Sequence, residues 1–123
     1  MKMMQNQKLE LLFSKTSQQP ELFSEFLNQL LISDVFCIGD DSDQSNVYFQ
    51  MLETPEGEQA IPFFLSLDTL KSSFGDDLDY FIMSARDFFE MTKGAVLLLN
   101  PASDYMKEFA PDEIAFLLSL GLS

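Results

Sequence analysis

The only thiol in this sequence belongs to Cys37. A cysteine nucleophile needs a neighbouring base or cation that lowers the pKa of its thiol. The sequence contains no His, so neither a Cys–His nor a Ser–His–Asp arrangement can form. Cys37 also lies between Phe36 and Ile38, and cysteine is among the residue types most often buried in proteins. We therefore predict a packed, unreactive Cys37 and no catalytic residue.

Two acidic segments have residue types that bind divalent cations. Residues 41–46 resemble the first half of a calcium-binding EF-hand loop, which requires Gly at position six and Glu at position twelve. Asn46 and Leu52 occupy those positions, and the acidic segment 75–79 has no fuller set of ligands. We predict acidic turns at both places, with no metal site and no cofactor.

The charge of the chain limits its partners. The 123 residues include 7 basic and 20 acidic side chains, for a net charge of −13. Such a charge repels phosphate, which argues against binding to nucleic acid or to an anionic membrane surface. The hydrophobic fraction of 46% is too high for a disordered acidic tail and predicts a globular domain.

The acidic residues are concentrated in one stretch. Between Lys15 and Lys71 the sequence has ten acidic residues and no Lys or Arg. This stretch has two interpretations, a solvated surface that aids solubility or a negative face that binds a basic protein. Because turn residues are exposed, we predict that such a face would use the acids of two turns. These residues are Asp40, Asp41, Asp43, Glu53, Glu56 and Glu58.

The sequence indicates a cytoplasmic location. After Lys2 and two Met residues the sequence turns polar at residues 5–8, whereas a signal peptide has an apolar run of 7–15 residues after its basic start. The apolar run 95–99 is far shorter than the ~20 residues of a membrane-spanning helix. A single cysteine is also consistent with a reducing compartment.

Hydrophobic periodicity predicts five helices. Apolar residues recur at three- and four-residue intervals, most clearly after Pro20, which suits the first position of a helix. Ser66 and Ser84 are suitable N-cap residues, and Gly75 is a suitable helix end. The predicted helices cover residues 8–14, 20–31, 67–74, 85–93 and 111–120.

Short runs of β-branched, aromatic and aliphatic residues predict strands at 34–39, 47–52, 60–65, 80–83 and 95–99. Tight turns join the first three, which predicts an antiparallel three-strand meander. Pro62 cannot donate a hydrogen bond, so its strand is expected at a sheet edge or with a bulge there. We predict one α+β domain over residues 1–123, with a mixed sheet of the meander and two further strands, flanking helices, and flexible residues 1–7.

The 13 Phe residues are predicted to build most of the core. Core positions include Phe23, Phe26, Phe36, Phe49, Phe64, Phe88 and Phe116. Neighbouring residues of a strand face opposite sides, so Phe63 and Phe64 cannot share a face. One of the two is therefore exposed or covered by a helix.

Several of these features occur together in one known family. The predicted helix and three strands, the segment 61–64 (IPFF), the segment 98–103 (LLNPAS) and the segment 108–114 (EFAPDEI) resemble the N-terminal domain of SseB-like proteins, the enhanced serine sensitivity family. The resemblance covers residues 9–121. It implies the α+β fold, whereas the family itself has no well-established chemistry.

The resemblance and the residues leave several functions open. Similar domains occur near bacterial toxin and secretion loci, and this favours a non-enzymatic protein-interaction module, such as an immunity protein or adaptor for a basic secreted toxin. One alternative is a protein that resembles a secretion chaperone, which would usually be a dimer. Another is an accessory to serine or sulfur metabolism. The sequence leaves the choice between monomer and dimer open.

Overall fold

The computed structural model describes residues 2–40, 42–43, 47–101 and 106–119, with side chains from Lys8 onward. The α-helices of these residues are α1 (Lys2–Lys15), α2 (Phe23–Leu31), α3 (Leu67–Phe74), α4 (Ala85–Met91) and α5 (Pro111–Ser119), with a 3₁₀ turn at Pro20–Leu22. The strands are β1 (Asp34–Asp40), β2 (Tyr48–Phe49), β3 (Leu52–Glu53), β4 (Gln59–Phe64), β5 (Tyr80–Ser84), β6 (Val96–Leu99) and β7 (Lys107–Phe109).

The strands form one mixed sheet, which confirms the predicted α+β fold. Its main order is β5–β1–β4–β6–β7, in which β4 and β6 run parallel and the other neighbours run antiparallel. The sheet differs in two details from the expected arrangement. Strand β7 was not predicted, and the strand predicted at 47–52 is divided into β2 and β3.

The division of that strand widens one end of the sheet. Strand β1 pairs directly with β4 through Phe36 opposite Phe64. Beyond this contact the two strands separate, because Gly39 pairs with Phe49 of β2 while Ala60 pairs with Leu52 of β3. The chain therefore enters between β1 and β4 along β2, reverses direction, and leaves along β3.

Pro62 lies where the pairing of β4 changes. The carbonyl of Phe63 accepts a hydrogen bond from the N–H of Asn100, just after β6, so the backbone groups of Phe63 point toward β6. Because these groups alternate along a strand, the backbone nitrogen and carbonyl of Pro62 point toward the opposite edge of β4. On that edge Phe63 pairs with β1 and Ala60 pairs with β3. Strand β4 is thus an interior strand, and the expectation of an edge position is wrong. Pro62 is tolerated because its missing N–H faces the point at which β1 and β3 separate.

The helices cover the two faces of the sheet unequally. The larger core combines α1, α2, α4 and α5 with one face, and Phe63 packs there against Phe88 with ring centroids 4.9 Å apart. Helix α3 covers part of the other face, where Phe64 contacts Phe74 at 5.8 Å. Both Phe63 and Phe64 are fully buried, the second beneath a helix as expected. Phe116 is 63% exposed on α5, which corrects its prediction as a core residue.

The predicted caps of the middle helices are confirmed. The Ser66 hydroxyl accepts a hydrogen bond from the Thr69 N–H at 3.2 Å, and the Ser84 hydroxyl accepts one from Asp87 at 3.1 Å. Gly75 ends α3 with a φ of 86°. Helix α1 begins at Lys2, earlier than the predicted start at residue 8, and the flexibility of residues 1–7 stays a prediction.

Within the described ranges, no helix is long and apolar enough to cross a membrane.

Candidate functional site

The two acidic turns predicted to bind a partner lie at the same end of the sheet. Because β1 and β4 are antiparallel, the last residue of β1, Asp40, lies at the end where β4 begins with Gln59. Glu53 pairs with Gln59 at that end. The predicted residues that the structure describes are all exposed there, namely Asp40, Asp43, Glu53, Glu56 and Glu58. Asp41 lies outside the described residues.

A third acidic segment joins this end and was not predicted to do so. Strand β5 runs antiparallel to β1, with Tyr80 opposite Ile38. The carbonyl of Asp79 accepts a hydrogen bond from the Gly39 N–H at 3.0 Å, which places the segment before β5 beside the end of β1. Asp76, Asp77 and Asp79 are exposed. We call the eight acids of these three segments the acidic end: Asp40, Asp43, Glu53, Glu56, Glu58, Asp76, Asp77 and Asp79.

Backbone geometry holds the second acidic turn in a defined shape. Thr54 is buried. Its N–H donates to the Glu58 carbonyl at 2.7 Å, and its carbonyl accepts a hydrogen bond from the Gly57 N–H at 2.8 Å. Its hydroxyl also accepts a hydrogen bond from the Glu58 N–H at 3.1 Å. Gly57 has a φ of 88°, which glycine adopts without strain. The carboxylates of Glu56 and Glu58 therefore project from an ordered turn.

The first acidic turn is tied to Gly39. This residue has a φ of 146°, and a Cβ atom built there would overlap the carbonyl oxygen of Tyr48 in β2. Only glycine allows β2 to approach β1 this closely. The closeness of β1 and β2 in turn fixes where Asp40 leaves the sheet.

Local hydrogen bonds favour the charged form of Asp40. The Ser42 N–H donates to its carboxylate at 2.8 Å, and this bond, with a smaller contribution from the Ser42 hydroxyl, lowers the pKa of Asp40 below its ordinary value of 3.8. Asp40 consequently keeps its negative charge to a lower pH than an ordinary Asp, because its pKa is lowered.

The opposite end of the sheet carries a polar network that sequence reasoning did not predict. Glu10 of α1 accepts hydrogen bonds from the Ser66 hydroxyl at 2.9 Å, from the Asn100 amide at 2.8 Å and from the Thr69 hydroxyl. Asn100 in turn accepts one from the Leu65 N–H at 3.2 Å. These groups lie at the carboxyl ends of the parallel strands β4 and β6, where open α/β sheets commonly bind ligands.

The described polar groups of the network bond one another. The Ser66, Thr69 and Asn100 donors meet the Glu10 carboxylate, and the Ser66 and Thr69 hydroxyls lie 2.9 Å apart. The sequence predicts Ser66 as a helix N-cap and Asn100 as the residue that follows a strand. Their connection to Glu10 spans 56 and 90 residues of sequence, and no local pattern indicates it.

A cavity of about 500 Å³ lies between α1, the 3₁₀ turn and the start of β7. Its walls include Phe13, Pro20 and Phe23, and a single cation, Lys107, lies at its side. The Lys107 ammonium bonds Glu113 at 3.2 Å and lies 5.4 Å from the centre of the Phe23 ring. Because this cation already has a carboxylate partner, the cavity does not indicate a particular ligand.

Cys37 lies fully buried between neighbouring strands, as predicted from its apolar surroundings. Elsewhere in the described part of the chain, no group of three Cys, Asp or Glu residues is arranged to hold a metal ion. The calcium-like segment 41–46 is described only at Ser42 and Asp43.

The burial of Cys37 predicts slow thiol chemistry. A maleimide or disulfide probe needs access to the thiolate, which a fully buried sulfur does not offer. We expect negligible labelling of the native protein and rapid labelling in denaturant, measured by mass spectrometry. Rapid labelling of the native protein would contradict this and would reopen a nucleophilic role for Cys37.

The fold and its two ends define a class of protein. The chain forms an α+β domain whose mixed sheet is covered mainly on one face, with an acidic end opposite a partly buried polar network. The sequence profile of the SseB protein N-terminal domain matches residues 10–115. The chain belongs to the SseB family, as the resemblance of its motifs implies.

Two curated relatives agree with this assignment. The chain is 34% identical over 116 residues to "Protein SseB" from Escherichia coli (strain K12) and equally to "Protein SseB" from Shigella flexneri. Each alignment covers 89% of this chain and 45% of the relative. The chain thus spans less than half the length of these relatives. No solved structure matches the chain.

Proposed function

We propose that this chain is a non-enzymatic protein-interaction module that binds a basic protein through its acidic end. The observation that carries the proposal is the convergence of three acidic segments, distant in sequence, at one end of the sheet. Complementary charge between such an end and a basic surface accelerates association and excludes acidic competitors.

The form of the acidic end supports binding more than solubility alone. Two of its turns are shaped by the buried Thr54 and by Gly39, so the backbone that bears their carboxylates has a defined course relative to the sheet. Two of the chain's cations are engaged with other acids, Lys93 with Glu90 at 3.1 Å and Lys107 with Glu113 at 3.2 Å. A preorganised surface loses less conformational entropy on binding than a flexible one.

The partner that fits this surface is a small basic protein with clustered Lys or Arg side chains. In a bacterial setting we propose an immunity or adaptor role, in which the chain binds a basic protein such as a secreted toxin in the cytoplasm. The absence of His from the sequence and the burial of its single thiol support a role without catalysis.

Neutralising the acidic end tests the proposal. The triple variant Glu53→Gln, Glu56→Gln, Glu58→Gln removes three exposed charges and keeps side-chain size. We expect it to weaken binding of a basic protein captured from lysate by about 10-fold or more, since each lost charge pair contributes on the order of 0.5–1 kcal/mol. The readout is titration calorimetry with the captured protein.

A matched control uses exposed acids from other parts of the surface. The variant Glu21→Gln, Glu25→Gln, Glu108→Gln changes net charge by the same amount, and we expect near wild-type binding. If the two triple variants bind equally well, net charge rather than the acidic end accounts for association. If wild-type protein retains no basic protein even at low ionic strength, the proposal fails, because screening is weakest there.

A further inference from the structure

Strand β5 leaves one edge of the sheet open. The N–H of Gly39 in β1 donates a hydrogen bond to the carbonyl of Asp79, so the backbone groups of Asp79 point toward β1. Because these groups alternate in direction along a strand, those of Phe81 and Met83 in β5 also point toward β1. The backbone N–H and carbonyl groups of Tyr80 and Ile82 therefore point away from the sheet. Among the described residues, no hydrogen bond to these outward groups is seen.

The side chains of this edge are apolar and exposed. Tyr80 is 41% exposed and Ile82 is 48% exposed, and both lie on the face that α3 covers only in part. Phe36 lies beside them, with its ring 6.4 Å from that of Tyr80. Proteins commonly protect open edges with charged residues or Pro. The edge strand β7 has Lys107 and Glu108, whereas β5 (YFIMS) has no charge and no Pro.

We propose that β5 is a self-association surface, on which the β5 strand of a second copy of this chain pairs antiparallel about a two-fold axis at Ile82. In this register Ile82 meets Ile82 of the other copy, and their outward N–H and carbonyl groups bond each other. Tyr80 of each copy lies opposite Ser84 of the other, so the two copies make the same backbone hydrogen bonds to each other. The two apolar edges cover one another, and the sheet becomes continuous across the dimer.

The charges at the two ends of β5 favour an antiparallel over a parallel second copy. The strand is preceded by Asp79 of the acidic end, with Asp76 and Asp77 just before it, and followed, after Ala85, by Arg86 and the exposed Asp87, so its second end is the less negative one. Antiparallel pairing brings Asp79 of each copy to the end where Arg86 of the other lies. It also directs the two acidic ends in opposite directions, which keeps their like charges apart. Parallel pairing would place them side by side.

Sedimentation equilibrium tests the proposal on the wild-type chain. We expect the apparent mass to rise from 14.0 kDa toward twice that value as the chain concentration rises to about 1 mM, the range in which a weak dimer is populated. A chain that stays monomeric throughout overturns the proposal, even if it binds an extended peptide along β5.

Matched substitutions locate the interface. We expect Ile82→Lys to weaken the dimer by about 10-fold or more, because it puts two ammonium groups against each other at the axis. Phe116→Lys changes an apolar side chain of α5 that is 63% exposed and should leave dimerisation unchanged. Equal effects of the two variants, with melting curves showing both folded, would contradict an interface at β5.

Charge exchange tests the register. Each of the single variants R86E and D79R creates like-charge contacts in its own homodimer, so each should dimerise less well than the wild type. An equimolar mixture of the two pairs every altered charge with an opposite one and should restore dimers, detected by labelling one variant with a fluorophore. A mixture no more dimeric than its separate components would overturn the antiparallel register.

Discussion

Replacing Asn100 with Ala is expected to lower the free energy of unfolding by about 3 kcal/mol. Asn100 is 2% exposed, and its side chain joins the Leu65 N–H to the Glu10 carboxylate. Truncation leaves a buried backbone donor without its partner, which costs about 1–3 kcal/mol. Asn100 also has a φ of 51°, a conformation in which Ala is less stable than Asn by about 1 kcal/mol.

Thermal and urea unfolding measure this effect, and two further variants separate its causes. Asn100→Gly accommodates the positive φ but loses the side-chain hydrogen bonds to Leu65 and Glu10, so it should be about 1 kcal/mol less destabilised than the Ala variant. Asn100→Asp keeps an acceptor for Leu65 but places a second carboxylate beside Glu10, which is unfavourable.

A double-mutant cycle tests whether the network couples α1 to the sheet. If Asn100 and Glu10 act together, Glu10→Ala and Asn100→Ala should be less than additive by about 0.5–3 kcal/mol. Full additivity would show that Asn100 stabilises the strand end alone. Wild-type stability of Asn100→Ala would contradict the structural role given to the network.

Replacing Gly39 with Ala is expected to release β2 from β1 and lower stability by about 2–4 kcal/mol. The added methyl group would overlap the Tyr48 carbonyl oxygen, and a backbone carbonyl cannot move aside as a flexible side chain can. The Gln50 N–H, which bonds the Ile38 carbonyl at 2.9 Å, should then exchange with solvent faster. Hydrogen exchange monitored by mass spectrometry measures this local loosening.

Gly75 provides the control for this substitution. It also has a positive φ, 86°, but a Cβ atom there meets nothing within 4 Å. Gly75→Ala should therefore cost about 1–3 kcal/mol from backbone strain alone, less than the same change at Gly39. The difference between the two variants measures the close approach of β1 and β2. Equal destabilisation would contradict the importance of that contact for the acidic end.

The sequence predicted the features that depend on local pattern. The caps at Ser66 and Ser84 require only a polar side chain before a helix, and both are present. The buried run of β6 follows from three consecutive Leu residues, all of which the structure buries. The exposure of Glu56 and Glu58 follows from the Pro and Gly of their turn.

Features that depend on pairing between distant segments could not be predicted. The contact between Asp79 and Gly39 depends on the pairing of β5 with β1, which the apolar alternation of the two strands does not specify. The strand predicted at 47–52 is uniformly apolar and aromatic except for Gln50, and its reversal depends on the separation of β1 from β4. Phe116 lies beside core residues in the sequence, but the turn of α5 directs it outward.

The salt dependence of partner binding tests the central claim most directly. We expect the affinity of the wild-type chain for its captured basic protein to fall by about 10-fold or more between low and physiological ionic strength. The Glu53→Gln, Glu56→Gln, Glu58→Gln variant should show a distinctly smaller fall, while the Glu21→Gln, Glu25→Gln, Glu108→Gln control should follow the wild type. An affinity that does not change with salt, or identical salt dependence in all three proteins, would contradict binding through the acidic end.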